Sequence, residues 1–217
     1  GLYEMPGCVN LQRLSVSSSS LNTVCMNSGG DWLGLGSSRL GQLLVWEWKS
    51  ESYVLKQQGH IYGLNSLDYS NDGTYIATGG EDSKVKLWNA TSGFCFMTFT
   101  AHTAPVTAVR FTGKGAGKVI LSASLDGTVR AHEMLRYKNF RTLTAPPDTP
   151  VQFTSLAADS SGDVIVAGTL DPFKIYVWAL QTGKLLDVLA GHEGPIASLE
   201  FKGATMASTS WDGTVKL

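Results

Sequence analysis

Long apolar runs are missing from this sequence. None approaches the roughly 20 residues that a membrane-spanning helix needs, and no basic-then-apolar leader opens the chain, so a soluble protein is expected. Cysteine is scarce: Cys8, Cys25 and Cys95 make an odd number, and no pair has metal-ligand spacing. Reduced thiols in an intracellular compartment follow, with Cys25 and Cys95 on strands. An excess of one charge is missing too. Seventeen basic residues face 18 acidic ones, a net charge of -1, which excludes a whole-surface basic field for nucleic acid.

What is there is a β-rich chain. Its residues are 43% hydrophobic and 16% charged, too apolar for disorder, and its 24 glycines are spread over turn positions as many short strands require. The stretch from Gly59 to Trp88 holds one complete unit of a repeated pattern. It runs Gly59-His60, apolar Leu64, Leu67 and Tyr69, a turn at Asn71-Asp72-Gly73, then Tyr75 to Asp82 and Val85-Lys86-Leu87-Trp88. No run within it is long enough for an ordinary helix. Strands are predicted at 64–69, 75–80, 84–89 and 94–99, a four-stranded antiparallel meander.

In chain order, residues 1–16 read as the end of a preceding unit, with a last strand over Asn10 to Val16, and 17–20 as a connector. The next unit has predicted strands at Leu21–Met26, Trp32–Gly36, Leu43–Trp48 and Ser52–Gln57. Trp46 to Trp88 is 42 residues, Trp88 to His132 is 44 and His132 to Trp178 is 46. A repeat of this length carrying four short strands is the mark of a propeller blade. The fold expected is an all-β propeller over 1–217, with units at 17–58, 59–100, 101–144 and 145–190 and a partial one at 191–217.

Gly59-His60, Gly191-His192, Asp82-x5-Trp88, Asp126-Gly127-Thr128-Val129-Arg130 and Asp212-Gly213-Thr214-Val215-Lys216-Leu217 resemble WD-repeat blades. Trp46, Trp88 and Trp178 are followed by Glu47, Asn89 and Ala179 rather than aspartate, a departure the family tolerates. The resemblance implies about five blades or part-blades of a larger propeller, seven-bladed in this family. It also implies a brace in each blade, from His through Asp and a Ser or Thr hydroxyl to the Trp ring nitrogen. His60, Thr78, Asp82 and Trp88 supply all four members. The third unit offers His102, Ser122 and Asp126 but has His132 where Trp belongs, the fourth offers Asp171 and Trp178, and the last offers His192, Ser208 and Asp212. The first has Trp46 but Leu40 for Asp.

A His, an Asp and a hydroxyl in each unit imitate a hydrolase triad. Catalytic constellations occur once per site, whereas a brace recurs in register with the repeat, as these residues do. Gly113-Lys114-Gly115-Ala116-Gly117-Lys118 imitates a phosphate-binding loop, but Thr112 stands where the opening Gly should be and Val119 where Ser or Thr must meet the metal. It reads as a hairpin loop. No catalytic, cofactor or metal site is expected, and no small-molecule substrate. Basic residues alternate with aromatics at Arg130 and over Arg136-Tyr137-Lys138-Asn139-Phe140-Arg141. That run reads as an outer strand shielding an edge, or as a contact with RNA or a partner in which Arg130, Arg136, Tyr137, Lys138 and Arg141 take part.

The loops and outer strands carry a narrower resemblance. Gly41 to Trp48, Ser50 to His60, Ser92-Gly93-Phe94-Cys95-Phe96, Arg136 to Thr142 and Gln181 to Leu189 are similar to the periodic tryptophan protein 2 family, whose chains are several times longer. That resemblance implies a nucleolar, non-enzymatic scaffold of ribosome biogenesis: a subunit of the UtpB subcomplex of the small-subunit processome, supporting early pre-ribosomal RNA cleavages through protein contacts and touching pre-ribosomal or small nucleolar RNA locally. Another WD-repeat adaptor, such as a ubiquitin-ligase substrate receptor or a vesicle-coat subunit, is the alternative.

Overall fold

The computed structural model describes residues 1–112 and 119–217. Every regular element among them is a strand. A short hairpin, β1 (Leu2–Glu4) and β2 (Val9–Gln12), comes first, followed by a sheet of β3 (Leu21–Met26), β4 (Trp32–Ser37), β5 (Gln42–Glu47) and β6 (Ser52–Gln58). The second sheet holds β7 (Leu64–Tyr69), β8 (Tyr75–Gly80), β9 (Val85–Asn89) and β10 (Cys95–Phe99), and the third β11 (Val106–Thr112), β12 (Val119–Ser124), β13 (Thr128–Glu133) and β14 (Lys138–Thr144). The fourth holds β15 (Phe153–Ala158), β16 (Val164–Thr169), β17 (Ile175–Ala179) and β18 (Leu185–Leu189), and the last β19 (Ile196–Lys202), β20 (Thr205–Ser210) and β21 (Val215–Lys216). All pairings are antiparallel between sequence neighbours, so the four four-stranded sheets are up-and-down meanders of the kind that make propeller blades, and the last sheet is a three-stranded version of the same.

Local chemistry sets these boundaries. Between β7 and β8 the Gly73 N–H donates to the Ser70 carbonyl at 2.7 Å and the Ser70 hydroxyl to Asp72 at 2.6 Å, closing a turn in which Gly73 takes φ +69°. The second strands β4, β8, β12 and β16 are covered on both faces and buried almost throughout, while outer strands such as β14 alternate exposed with half-buried or buried residues. The apolar cores lie between blades. Leu43, Val45 and Leu55 of one blade meet Leu64, Leu67 and Ile76 of the next, and Leu121, Val129 and Leu143 meet Phe153, Leu156 and Trp178.

The first strand of each blade breaks register at one place. Shifts fall between Leu21/Thr23, Leu64/Ser66, Val106/Ala108, Phe153/Ser155 and Ile196/Ser198, a bulge one residue into every inner strand. A bulge turns one side chain out of the pleat. Three of the bulged side chains cross to the following blade. Asn65 Nδ2 donates to the Val106 carbonyl at 3.1 Å, Thr107 Oγ1 to Phe153 at 2.8 Å and Thr154 Oγ1 to Ile196 at 2.6 Å. Each acceptor is the first residue of the next inner strand.

The opening residues differ from the expected strand over 10–16. Only Val9–Gln12 is a strand, because its partner β1 offers three residues to pair with. Leu14 and Val16 lie beyond it and pack on Leu33, Leu35 and Leu44 of the first blade.

Candidate functional site

The second blade holds one continuous hydrogen-bonded chain of side chains. Trp88 Nε1–H donates to Thr78 Oγ1 at 2.9 Å, the Thr78 hydroxyl to His60 Nε2 at 2.8 Å, and His60 Nδ1–H to Asp82 Oδ1 at 2.8 Å. The indole and the carboxylate fix the two ends, so the hydroxyl direction and the imidazole tautomer follow. Asp82 also accepts the Ile61 and Lys84 N–H groups, tying the loop before β7 to the turn after β8. In the last blade Ser208 donates to His192 Nε2 and His192 Nδ1–H to Asp212, both at 2.9 Å.

The third blade substitutes one ring for another. His102 meets Asp126 and Ser122 at 2.8 Å each, and Ser122 Oγ meets His132 Nε2 at 3.0 Å. His132 therefore does with an imidazole N–H what Trp88 does with an indole N–H, and it lies against Phe99 with ring centroids 4.3 Å apart. Its position in the repeat showed that it replaces Trp; that it continues the chain needed the geometry. The residue before each histidine bears on the exchange. A Cβ at Gly59 would stand 2.4 Å from Trp88 Cζ2, and the third blade carries Ala101 at the corresponding position, where only a smaller ring avoids that methyl. Gly59→Ala is thus expected to push Trp88 off Thr78 and to cost about 1–3 kcal/mol, read from chemical denaturation and near-ultraviolet dichroism.

Blades four and one lack this arrangement. Asp171 is exposed, and Trp178 Nε1 donates instead to the Thr144 carbonyl at 3.3 Å, because Pro146 and Ala167 stand where an imidazole and a hydroxyl would be. The sequence pattern had grouped Asp171 with Trp178. In the first blade Leu35 and Leu40 replace hydroxyl and carboxylate, and Trp46 Nε1 is buried with no hydrogen-bond partner among the described residues.

Chemically these chains can do little besides hold. Thr78 and Ser122 are fully buried, and each oxygen already accepts an N–H, so neither can approach a substrate as a nucleophile. Burial pushes His60 below its ordinary value against the opposing pull of Asp82, and burial, His102 and Arg130 push His132 down to about 3. Both are neutral at pH 7. Burial would raise the Asp126 carboxyl, but hydrogen bonds from His102 and Thr128 outweigh it and hold the group well below the usual carboxylate range. The Thr214 hydroxyl, the Glu193 N–H and His192 do the same for Asp212 despite the contrary effect of burial. Among the described residues no cluster of three His, Cys, Asp or Glu side chains could hold a metal ion, and no helix is long and apolar enough to cross a membrane.

The basic-aromatic stretch divides in two. Arg136, Tyr137 and Lys138 are exposed on the β13–β14 turn, Arg136 facing Glu133 at 3.8 Å. Arg141, by contrast, donates to the Gln181 carbonyl at 2.6 Å and lies along Gly183, so it ties the third blade to the fourth. Arg130 is half-buried and donates to Thr128 at 3.3 Å. The loop likened to a phosphate-binding motif, 113–118, lies outside the described residues.

Four-stranded meanders repeating every 42 to 46 residues, packed face to face, define a WD-repeat protein. The chain belongs to that family: the family model of the WD domain, G-beta repeat, matches residues 51–89, 93–132 and 183–217. Each matched segment starts just before the outer strand of one blade, runs into the next and contains one His–Asp pair. More narrowly, the chain is similar over its whole length to proteins named periodic tryptophan protein 2 or its homolog. It is 53% identical to that of Dictyostelium discoideum, 55% to that of Mus musculus and 53% to that of Saccharomyces cerevisiae, each over 218 residues. All of this chain is covered, and 23% of each relative, so it spans under a quarter of their length. The family resemblance read from the loops and outer strands is borne out.

Proposed function

We propose that this chain is part of a non-enzymatic scaffold of ribosome biogenesis, a propeller subunit of the UtpB subcomplex of the small-subunit processome. The observation that carries the reading is the identity of 50–55% across the entire chain to relatives named periodic tryptophan protein 2, from slime mould, plant, nematode, mouse and fungi. On this reading the units at 17–58, 59–100, 101–144, 145–190 and 191–217 are blades of a seven-bladed ring. Its hydrogen-bonded chains are structural braces, its loops and outer strands meet other processome proteins, and it works in the nucleolus without a cofactor. Arg136, Tyr137 and Lys138 are exposed and would meet pre-ribosomal or small nucleolar RNA by charge and stacking.

The test is a tagged pull-down of the full-length protein from nuclear extract, with and without ribonuclease, followed by mass spectrometry. Recovery of UtpB subunits after ribonuclease is the expected result. Partners lost on ribonuclease treatment would make the association RNA-bridged, and recovery of ligase or coat subunits instead would overturn the assignment.

A further inference from the structure

Thr149 is followed by Pro150, the one Ser-Pro or Thr-Pro dipeptide in the 217 residues. It lies in the loop 145–152 that joins the third blade to the fourth. Proline also stands two residues before it, in Pro147-Asp148-Thr149-Pro150, and no basic residue follows at the third position after it, which is Gln152. Kinases that require proline directly after the acceptor exploit its missing N–H and its ring, which fits an apolar pocket where other residues would bury an unpaired donor. A second proline two residues upstream, without a following basic residue, fits the mitogen-activated class of these enzymes.

The fold presents this motif on an entry loop without a His–Asp pair. In the neighbouring entry loops His60, His102 and His192 reach across to an aspartate and a hydroxyl. Here Pro146 takes the imidazole's place and Asp171 is exposed. Pro146, Pro147, Asp148 and Pro150 are exposed and Thr149 between them is half-buried, and the turn is held by one backbone bond, Thr149 N–H to the Pro146 carbonyl at 3.0 Å. The Thr149 hydroxyl takes no hydrogen bond among the described residues.

We propose that Thr149 is a phosphorylation site for a proline-directed kinase of the mitogen-activated class. The γ-phosphoryl group of Mg-ATP passes to Thr149 Oγ1. An O–P bond forms there as the bond to ADP breaks, and the hydroxyl proton leaves to the kinase's base. The product places a charge of about −2 beside Asp148 on an exposed loop, altering what that loop can bind. No brace passes through this loop, so the modification leaves blade packing intact.

The experiment incubates the full-length protein with such a kinase and Mg-ATP and maps phosphate by mass spectrometry, with the synthetic peptide 143–153 alongside. Expected is modification of Thr149 in the intact protein, its loss in Thr149→Val, a rate at least tenfold lower in Pro150→Ala, and unchanged melting after phosphorylation. Modification of the peptide but not of the protein would overturn the proposal, because the loop would then be closed to a kinase. An intact protein modified equally fast with Pro150→Ala, or unmodified together with the peptide, would overturn it as well.

Discussion

Thr78→Val is expected to speed amide exchange across β7, β8 and β9 about a thousandfold, a loss of about 4 kcal/mol in the free energy of opening that blade. Valine keeps the shape of threonine and removes only the hydroxyl. His60 Nε2 and Trp88 Nε1–H then remain inside the protein with no partner, where each unsatisfied group costs about 1–3 kcal/mol. Exchange reads local opening free energies directly, so the effect is visible in the full-length protein without a global unfolding transition. Thr78→Ser should stay within about 1 kcal/mol of the parent, because Ser122 and Ser208 fill the same role in other blades. A valine variant that exchanges as slowly as the parent would show that the hydroxyl carries no stability.

Acidification is expected to weaken the third blade more than its neighbours. His132 is fully buried and its folded value, about 3, lies below the ordinary 6.5, so the unfolded chain takes up this proton first. Its stabilisation is therefore complete above about pH 6.5 and is lost as the pH falls, at up to about 1.4 kcal/mol per unit, reaching on the order of 4–5 kcal/mol by pH 3. His60, also lowered, adds a loss of the same sign in the second blade. The aspartates act later: with folded values below the ordinary carboxylate, Asp82, Asp126 and Asp212 hold their contribution above about pH 3.9 and lose it only below that. Exchange at pH 7, 5.5 and 4.5 separates the stages. The double variant Ala101→Gly, His132→Trp rebuilds the Gly59–Trp88 pairing, replaces the titrating ring by an indole N–H, and should abolish most of the third blade's early loss. His132→Trp alone should be worse than the parent, with the Ala101 methyl in the path of the larger ring. Equal acid sensitivity in double variant and parent would place the cause elsewhere.

Strand positions were legible because turn chemistry and apolar alternation agree within each repeat. The strands read at 64–69 and 75–80 match β7 and β8 residue for residue, bounded by a turn whose Asp72 and Gly73 are the residues such a turn needs. The histidines, hydroxyls and aspartates were legible as a set because each aspartate follows its hydroxyl by four residues and a histidine precedes that hydroxyl by 16 to 20. What escaped depends on three-dimensional reach rather than spacing. Arg141 reads as one more cation in a basic run, and only its approach to the Gln181 carbonyl shows it as a tie between blades. Asn65, Thr107 and Thr154 look like ordinary polar residues at strand starts; the bulge that turns them outward leaves no mark in composition. The pairing of Ala101 with His132 lay in plain view but meant nothing until the Gly59–Trp88 approach gave it a distance.

Those bulged residues give the molecule a direction in time. Asn65, Thr107 and Thr154 each offer their donor to a carbonyl some 40 residues downstream, which does not exist when the donor leaves the ribosome. At roughly 5–20 residues per second, each waits about 2–9 s for the next inner strand to be synthesised. A nascent chain of this kind therefore carries an unfinished junction at its newest blade, and the second, third and fourth blades are each fastened by the one made after.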